Sequence, residues 1–115
     1  MSKPFVLDRG LILDRLGGDE EILAMMIDMF LQDVDNNCAA LTAAHASGDA
    51  TALRREAHTI KGLLSTMSDD DGAAEALFIE QKAKTGEIAG LDGAVSGLLA
   101  RVNAVAAVLR QESAA

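Results

Sequence analysis

ATALRREAHTIKGLLSTM, residues 50–67, places Ala50, Leu53, Ala57, Ile60, Leu64 and Met67 at intervals of three and four. At ~100° per residue these positions fall within about 100° of arc on a helix, whereas a half-buried strand would alternate with period two. The segment therefore predicts an amphipathic helix with one stripe for a core. Two residues are not explained by that stripe. His58 lies off it, and Gly62 stands in the helix interior, where glycine costs about 1 kcal/mol relative to alanine.

On either side of this segment, glycine and acidic clusters punctuate the chain. Gly17-Gly18, Ser47-Gly48, Asp69 to Gly72, and Gly86 divide it into five helical pieces. The first, residues 8–16, is opened by Asp8. Asp19 caps a long second helix running to about residue 46, with Glu20 and Glu21 in its positive first turn. Asp49 caps the third helix after the Gly48 stop. The Asp69-Asp70-Asp71 cluster supplies caps for a fourth helix at about 72–85, whose negative end carries Lys82 and Lys84. A fifth is expected at about 88–111, weakened near its start by Gly90, Gly93 and Gly97. Short connections make consecutive helices antiparallel, so the expected fold is all-α: an up-down-up-down four-helix bundle with a short additional N-terminal helix.

Composition supports that expectation and excludes several functions. Half of the residues are hydrophobic, aromatics are 3%, and the single proline is Pro4, which favours helix over sheet. The length suits one domain over residues 1–115, with its core at about 7–110. Ten basic against eighteen acidic residues give a net charge of −8, which repels phosphate backbones and anionic lipid, so neither nucleic acid nor membrane is expected as a partner. Cys38 is the only cysteine, so no internal disulfide forms. Uncharged apolar runs fall short of the ~20 residues of a membrane span, and the N-terminus lacks a signal-peptide pattern, so a cytoplasmic location is expected.

On the solvent-facing lane of the third helix, Arg54, Arg55, Lys61 and Gly62 lie three or four residues from His58, with Ser65 two turns on. The cations favour a neutral imidazole, the form with a lone pair able to attack phosphorus, and would offset the charge of a phosphoryl group delivered there. Gly62 leaves room for that group and for the surface that brings it. This is a reason for the glycine that helix propensity does not supply.

At these residues the chain resembles the histidine-containing phosphotransfer domains of multistep phosphorelays. Their motif, approximately A-H-x-x-K-G, matches Ala57-His58-Thr59-Ile60-Lys61-Gly62. LGGDEEILAMMIDMFLQD, SGDATALRREAHTIKG and IEQKAKTGE resemble other segments of the family, so the likeness covers about residues 7–110. One departure is Ser68, ten residues after the histidine, where the family commonly has glycine. The resemblance implies a phosphocarrier without kinase activity of its own. His58 would accept the phosphoryl group through the nitrogen farther from the backbone. Lys61 would stabilise the phosphoryl oxygens and Gly62 would give access, while Arg54, Arg55 and Ser65 would meet the partner. The implied partners are receiver domains and a hybrid histidine kinase. No cofactor is implied on this chain, since Mg²⁺ belongs to the receiver, and a monomer is expected.

Two other classes of function fit the same residues: a receiver-binding adapter that never carries phosphate, and a purely structural helical module. Read blandly, His58 is a surface residue, its cations a solvated face paired with Glu56, Glu75 or Glu80, and Gly62 a site of close helix packing. His45 reads as a favourable cation at a helix C-terminus and Cys38 as a small buried apolar residue. Ile22, Leu23, Met25, Met26, Ile27, Met29, Phe30 and Leu31 cover more than one stripe of the second helix. Leu11, Ile12, Leu13 and Leu16 of the first helix should cover part of this surface, and an exposed methionine could serve as a docking patch near His58.

Overall fold

The computed structural model describes residues 3–114, and every regular element among them is a helix: α1 (Arg9–Arg15), α2 (Glu20–Ser47), α3 (Ala50–Thr66), α4 (Asp70–Lys84) and α5 (Asp92–Ala114). Four aspartates start the first four helices as their spacing predicts. Asp8 accepts from the Leu11 amide, Asp19 from Glu21 and Ile22, Asp49 from Ala52, and Asp69 from Gly72. Each satisfies an amide that has no partner within its own helix. Gly48 ends α2 in the left-handed conformation at φ 70°, donating to the His45 carbonyl.

Two helix starts differ from expectation. α4 begins at Asp70 rather than 72, because Asp69 is the cap and the other two acids enter the positive first turn. α5 begins at Asp92 rather than 88. Gly90 has φ 77°, which reverses the chain, and the first helical bond recruits the Leu91 carbonyl to the Val95 amide.

Packing is pairwise round a ring: α2 against α3 and α5, and α4 against α3 and α5, with α1 on α2. At 1.5 Å per residue, the 28 residues of α2 span about 42 Å, which matches the 42 Å long axis of the molecule. The most extensive contact is α3 with α4. Ala57 of α3 and Gly72, Ala76 and Ala83 of α4 are all buried, and such small side chains let two helix axes approach closely. Leu53, Ala57, Ile60, Leu64 and Met67 form the buried stripe, but Ala50, at the first turn, is only half-buried.

α1 covers part of the excess apolar surface of α2. Ile12 is buried and Leu13 and Leu16 are partly buried against the core, whereas Leu11 is exposed. Ile22, Met25 and Met29 remain exposed, while Met26 and Leu31 pack partly against the core. Asp92–Glu112 of α5 is long and apolar enough to cross a membrane by length and composition alone. Its buried residues Val95, Leu98, Val102, Val105 and Leu109 nonetheless recur at threes and fours, as on a helix with one face in a core.

The α3–α4 corner is where the sequence departs from the resembled family. Ser68 takes φ 59°, the left-handed conformation that favours glycine. The Ser68 amide bonds the Ser65 carbonyl and the Asp69 amide bonds Leu64, the paired closure of a Schellman end. Serine thus keeps the turn that glycine would make more cheaply.

Candidate functional site

α3 turns its apolar stripe inward and so carries His58 outward, with 67% of the side chain exposed. The residue that meets it comes from the neighbouring helix. Glu80 of α4 places Oε2 3.1 Å from His58 Nδ1 and Oε1 2.7 Å from Lys61 Nζ. Both oxygens of one carboxylate are thereby engaged, and its side chain is only 16% exposed. Glu80 was legible in the sequence only as a surface acid; in the structure it is the hub of the site.

Burial by itself would raise the Glu80 pKa. The close contacts of Lys61 and His58, and their charge, outweigh burial and hold the carboxyl below its ordinary range. The group stays ionised at neutral pH. An ionised carboxylate only accepts hydrogen bonds, so the contact requires the proton of a neutral imidazole to be on Nδ1. Nε2 then carries the lone pair. Packing of α3 on α4 thus adds a carboxylate, Glu80, in direct contact with the ring, a charge that the helical spacing of Arg54, Arg55 and Lys61 did not include. What prepares Nε2 is the choice of tautomer.

The other candidate residues divide. Lys61 lies in the His58–Glu80 cluster, with 28% of its side chain exposed. A β-carbon built on Gly62 would meet no atom within 4 Å, so close helix packing does not explain this glycine. Arg54 and Arg55 join Thr51, His58, Thr59 and Glu80 around a shallow surface depression. Arg55 directs its Nε to Glu56 Oε1 at 3.2 Å and not to the histidine. Ser65 is exposed in the last turn of α3, and no hydrogen bond ties its side chain to the cluster. Thr51 and Thr59 were missed by sequence reasoning. Their signal was their offset from His58, seven residues before it and one after, which borders the same lane.

His45 has a partner of its own, with Nε2 2.9 Å from Asp92 Oδ1, tying the end of α2 to the first turn of α5. Cys38 is half-buried, and burial followed by the charge of Asp35 pushes its thiol pKa up, which disfavours a reactive thiolate. Among the described residues no group of three or more His, Cys, Asp or Glu side chains could hold a metal ion.

In chemical terms the site offers an exposed ring nitrogen with a free lone pair, an ammonium one helical turn away, and open space above a glycine. That combination suits acceptance of a small anionic electrophile. Comparison with known proteins points to the same chemistry. The fold is similar to that in the crystal structure of histidine-containing phosphotransfer protein B (HptB) from Pseudomonas aeruginosa PAO1. The TM-score is 0.82 and the sequence identity 27%, with 93% of each chain covered. A search of curated proteins found no match. The family model for the Hpt domain matches residues 25–110, most of the chain and all of the His58 cluster. This chain belongs to the Hpt domain family.

Proposed function

We propose that this protein is a phosphocarrier that takes a phosphoryl group onto Nε2 of His58 from the aspartyl phosphate of a receiver domain and passes it to another. The observation that carries this reading is the exposed His58 ring held through Nδ1 by Glu80. In the forward step the Nε2 lone pair forms a P–N bond while the P–O bond to the aspartyl group breaks, and the aspartate leaves as a carboxylate. No proton need be released. Nδ1 keeps its hydrogen, and the positive charge that develops on the ring faces Glu80. Lys61 stabilises the phosphoryl oxygens and Gly62 admits them. Arg54, Arg55 and Ser65 contact the acidic surroundings of the incoming aspartyl phosphate.

The chain works as a single monomeric domain in the cytoplasm, with helices α2 to α5 running up-down-up-down, so that α3 and α4 present one site to each partner in turn. It needs no cofactor of its own, since Mg²⁺ serves the aspartate on the receiver. Its partners are receiver domains, free or within a hybrid histidine kinase. The likeness to a histidine-containing phosphotransfer protein supports this reading.

The test is incubation with a panel of receiver domains phosphorylated by a small phosphodonor, followed by detection of acid-labile phosphate on this chain. Labelling of the wild type is expected, with none on His58→Gln and helical circular dichroism unchanged. Labelling that persists in His58→Gln would move the site elsewhere, while partner binding without any labelling would favour a non-transferring adapter.

A further inference from the structure

Lys61 is not a free cation waiting for a phosphoryl group. Its ammonium forms an ion pair at 2.7 Å with Glu80 Oε1, a buried oxygen that no donor among the described residues meets in hydrogen-bond geometry, and the Lys61 side chain is only 28% exposed. Partial shielding from water makes this contact less screened than an open surface pair. The same carboxylate holds His58 Nδ1 through Oε2 at 3.1 Å, so the acid is fixed from both sides and does not simply swing away. A lysine stem is flexible and its ammonium has three donors, so Lys61 can turn toward Nε2 without unfolding anything.

Taking His58 as the phosphoryl acceptor, we propose that Glu80 limits how much charge Lys61 lends to the phosphohistidine, so that the phosphoryl group is held loosely enough to be passed on. The inference rests on the phosphocarrier reading above. When the P–N bond forms, two acceptors compete for one ammonium: the phosphoryl oxygens and Glu80. The cation's stabilisation of the phosphorylated state is reduced by the contact it gives up or shares. The Nδ1 contact is present before and after transfer, whereas the Lys61 contact is the one that must be redistributed. Glu80 is in this sense a positioning residue. It acts on the phosphoryl group through Lys61, and its effect should appear as an energetic coupling between the two residues.

A double-mutant cycle on the full chain measures that coupling. A receiver domain charged with acetyl phosphate and then freed of the donor is brought to equilibrium with the wild type, Lys61→Ala, Glu80→Gln and the double variant. The ratio of phosphohistidine to aspartyl phosphate is then read by ³¹P NMR. Lys61→Ala should lower this ratio in both backgrounds, but by about tenfold more when Glu80 is Gln, because the ammonium it removes there was uncommitted. Equal losses in the two backgrounds would overturn the inference while leaving His58 as the carrier. No phosphohistidine on the wild type would overturn the phosphocarrier reading and this inference with it. A second measurement needs no variant. The Lys61 ammonium ¹⁵N resonance should move when the wild-type chain is phosphorylated, and an unmoved resonance would also overturn the inference.

Discussion

A β-carbon at Gly62 would enter open space, and the backbone there is ordinary helix. Gly62→Ala should therefore raise stability by up to about 1 kcal/mol, read as a higher urea midpoint with unchanged slope. Gly62→Gln should stay folded yet lose phosphotransfer, since its longer side chain would occupy the space beside His58. A Gln variant that folds and transfers normally would leave the glycine without a role in access. Ser68 presents the opposite problem. It holds φ 59° and buries an Oγ that finds no hydrogen-bond partner among the described residues. Glycine adopts this conformation without a β-carbon penalty and has no hydroxyl to desolvate, so Ser68→Gly should stabilise the protein by about 1–2 kcal/mol in the same denaturation assay.

Where α3 meets α4, Asp69 performs two tasks from a position only 3% exposed. It caps α4 through the Gly72 amide at 3.2 Å, and it pairs with Arg101 of α5, taking Nη2 on Oδ1 at 2.6 Å and Nε on Oδ2 at 2.9 Å. Arg101 also donates to the Lys3 carbonyl, so one side chain joins the corner, α5 and the N-terminal segment. Asp69→Ala should destabilise by about 3 kcal/mol, because it leaves a guanidinium that is only 10% exposed without its hydrogen-bonded partner, with Asp71 and Glu75 as the remaining nearby acids. Asp69→Asn should lose less, since its amide oxygen can still cap. The same corner reverses the usual rule for glycine. A β-carbon on Gly72 would sit 2.1 Å from Asp69 Oδ2, so Gly72→Ala should cost about 1–3 kcal/mol although alanine is the better helix former. The same substitution thus has opposite signs at Gly62 and Gly72, and thermal or urea unfolding of the two variants checks this directly.

Across the whole molecule, the site contributes to stability in a way that depends on pH. The Glu80 carboxyl is held below its ordinary value of 4.5, so the folded state binds its proton less readily than the unfolded chain does. Its contribution is complete above that ordinary value and is lost as pH falls through the lowered folded value. Stability should decline over that acid limb, and Glu80→Gln, which has no proton to take up there, should show a shallower decline. Urea midpoints compared between neutral and acid pH for both proteins test this. Equal slopes would mean that the acid does not gain its Lys61 and His58 contacts on folding.

The helix starts at Asp8, Asp19, Asp49 and Asp69 were legible in the sequence because a cap is a bond to an amide two or three residues away, and such bonds depend on local chain alone. The outward placement of His58 was legible for a related reason, since helical periodicity separates faces without reference to any neighbour. The open space at Gly62 and the motif around it could be read on the same helix. Glu80 beside His58 and Lys61, and Arg101 beside Asp69, could not. These partners lie 22 and 32 residues apart in sequence for His58–Glu80 and Arg101–Asp69. Periodicity gives each helix its inner face but not its neighbour or the axial register between them. Only the packing of α3 and α5 around α4 and its capping residue Asp69 decided which acid meets which cation, and with it which nitrogen of His58 is left free.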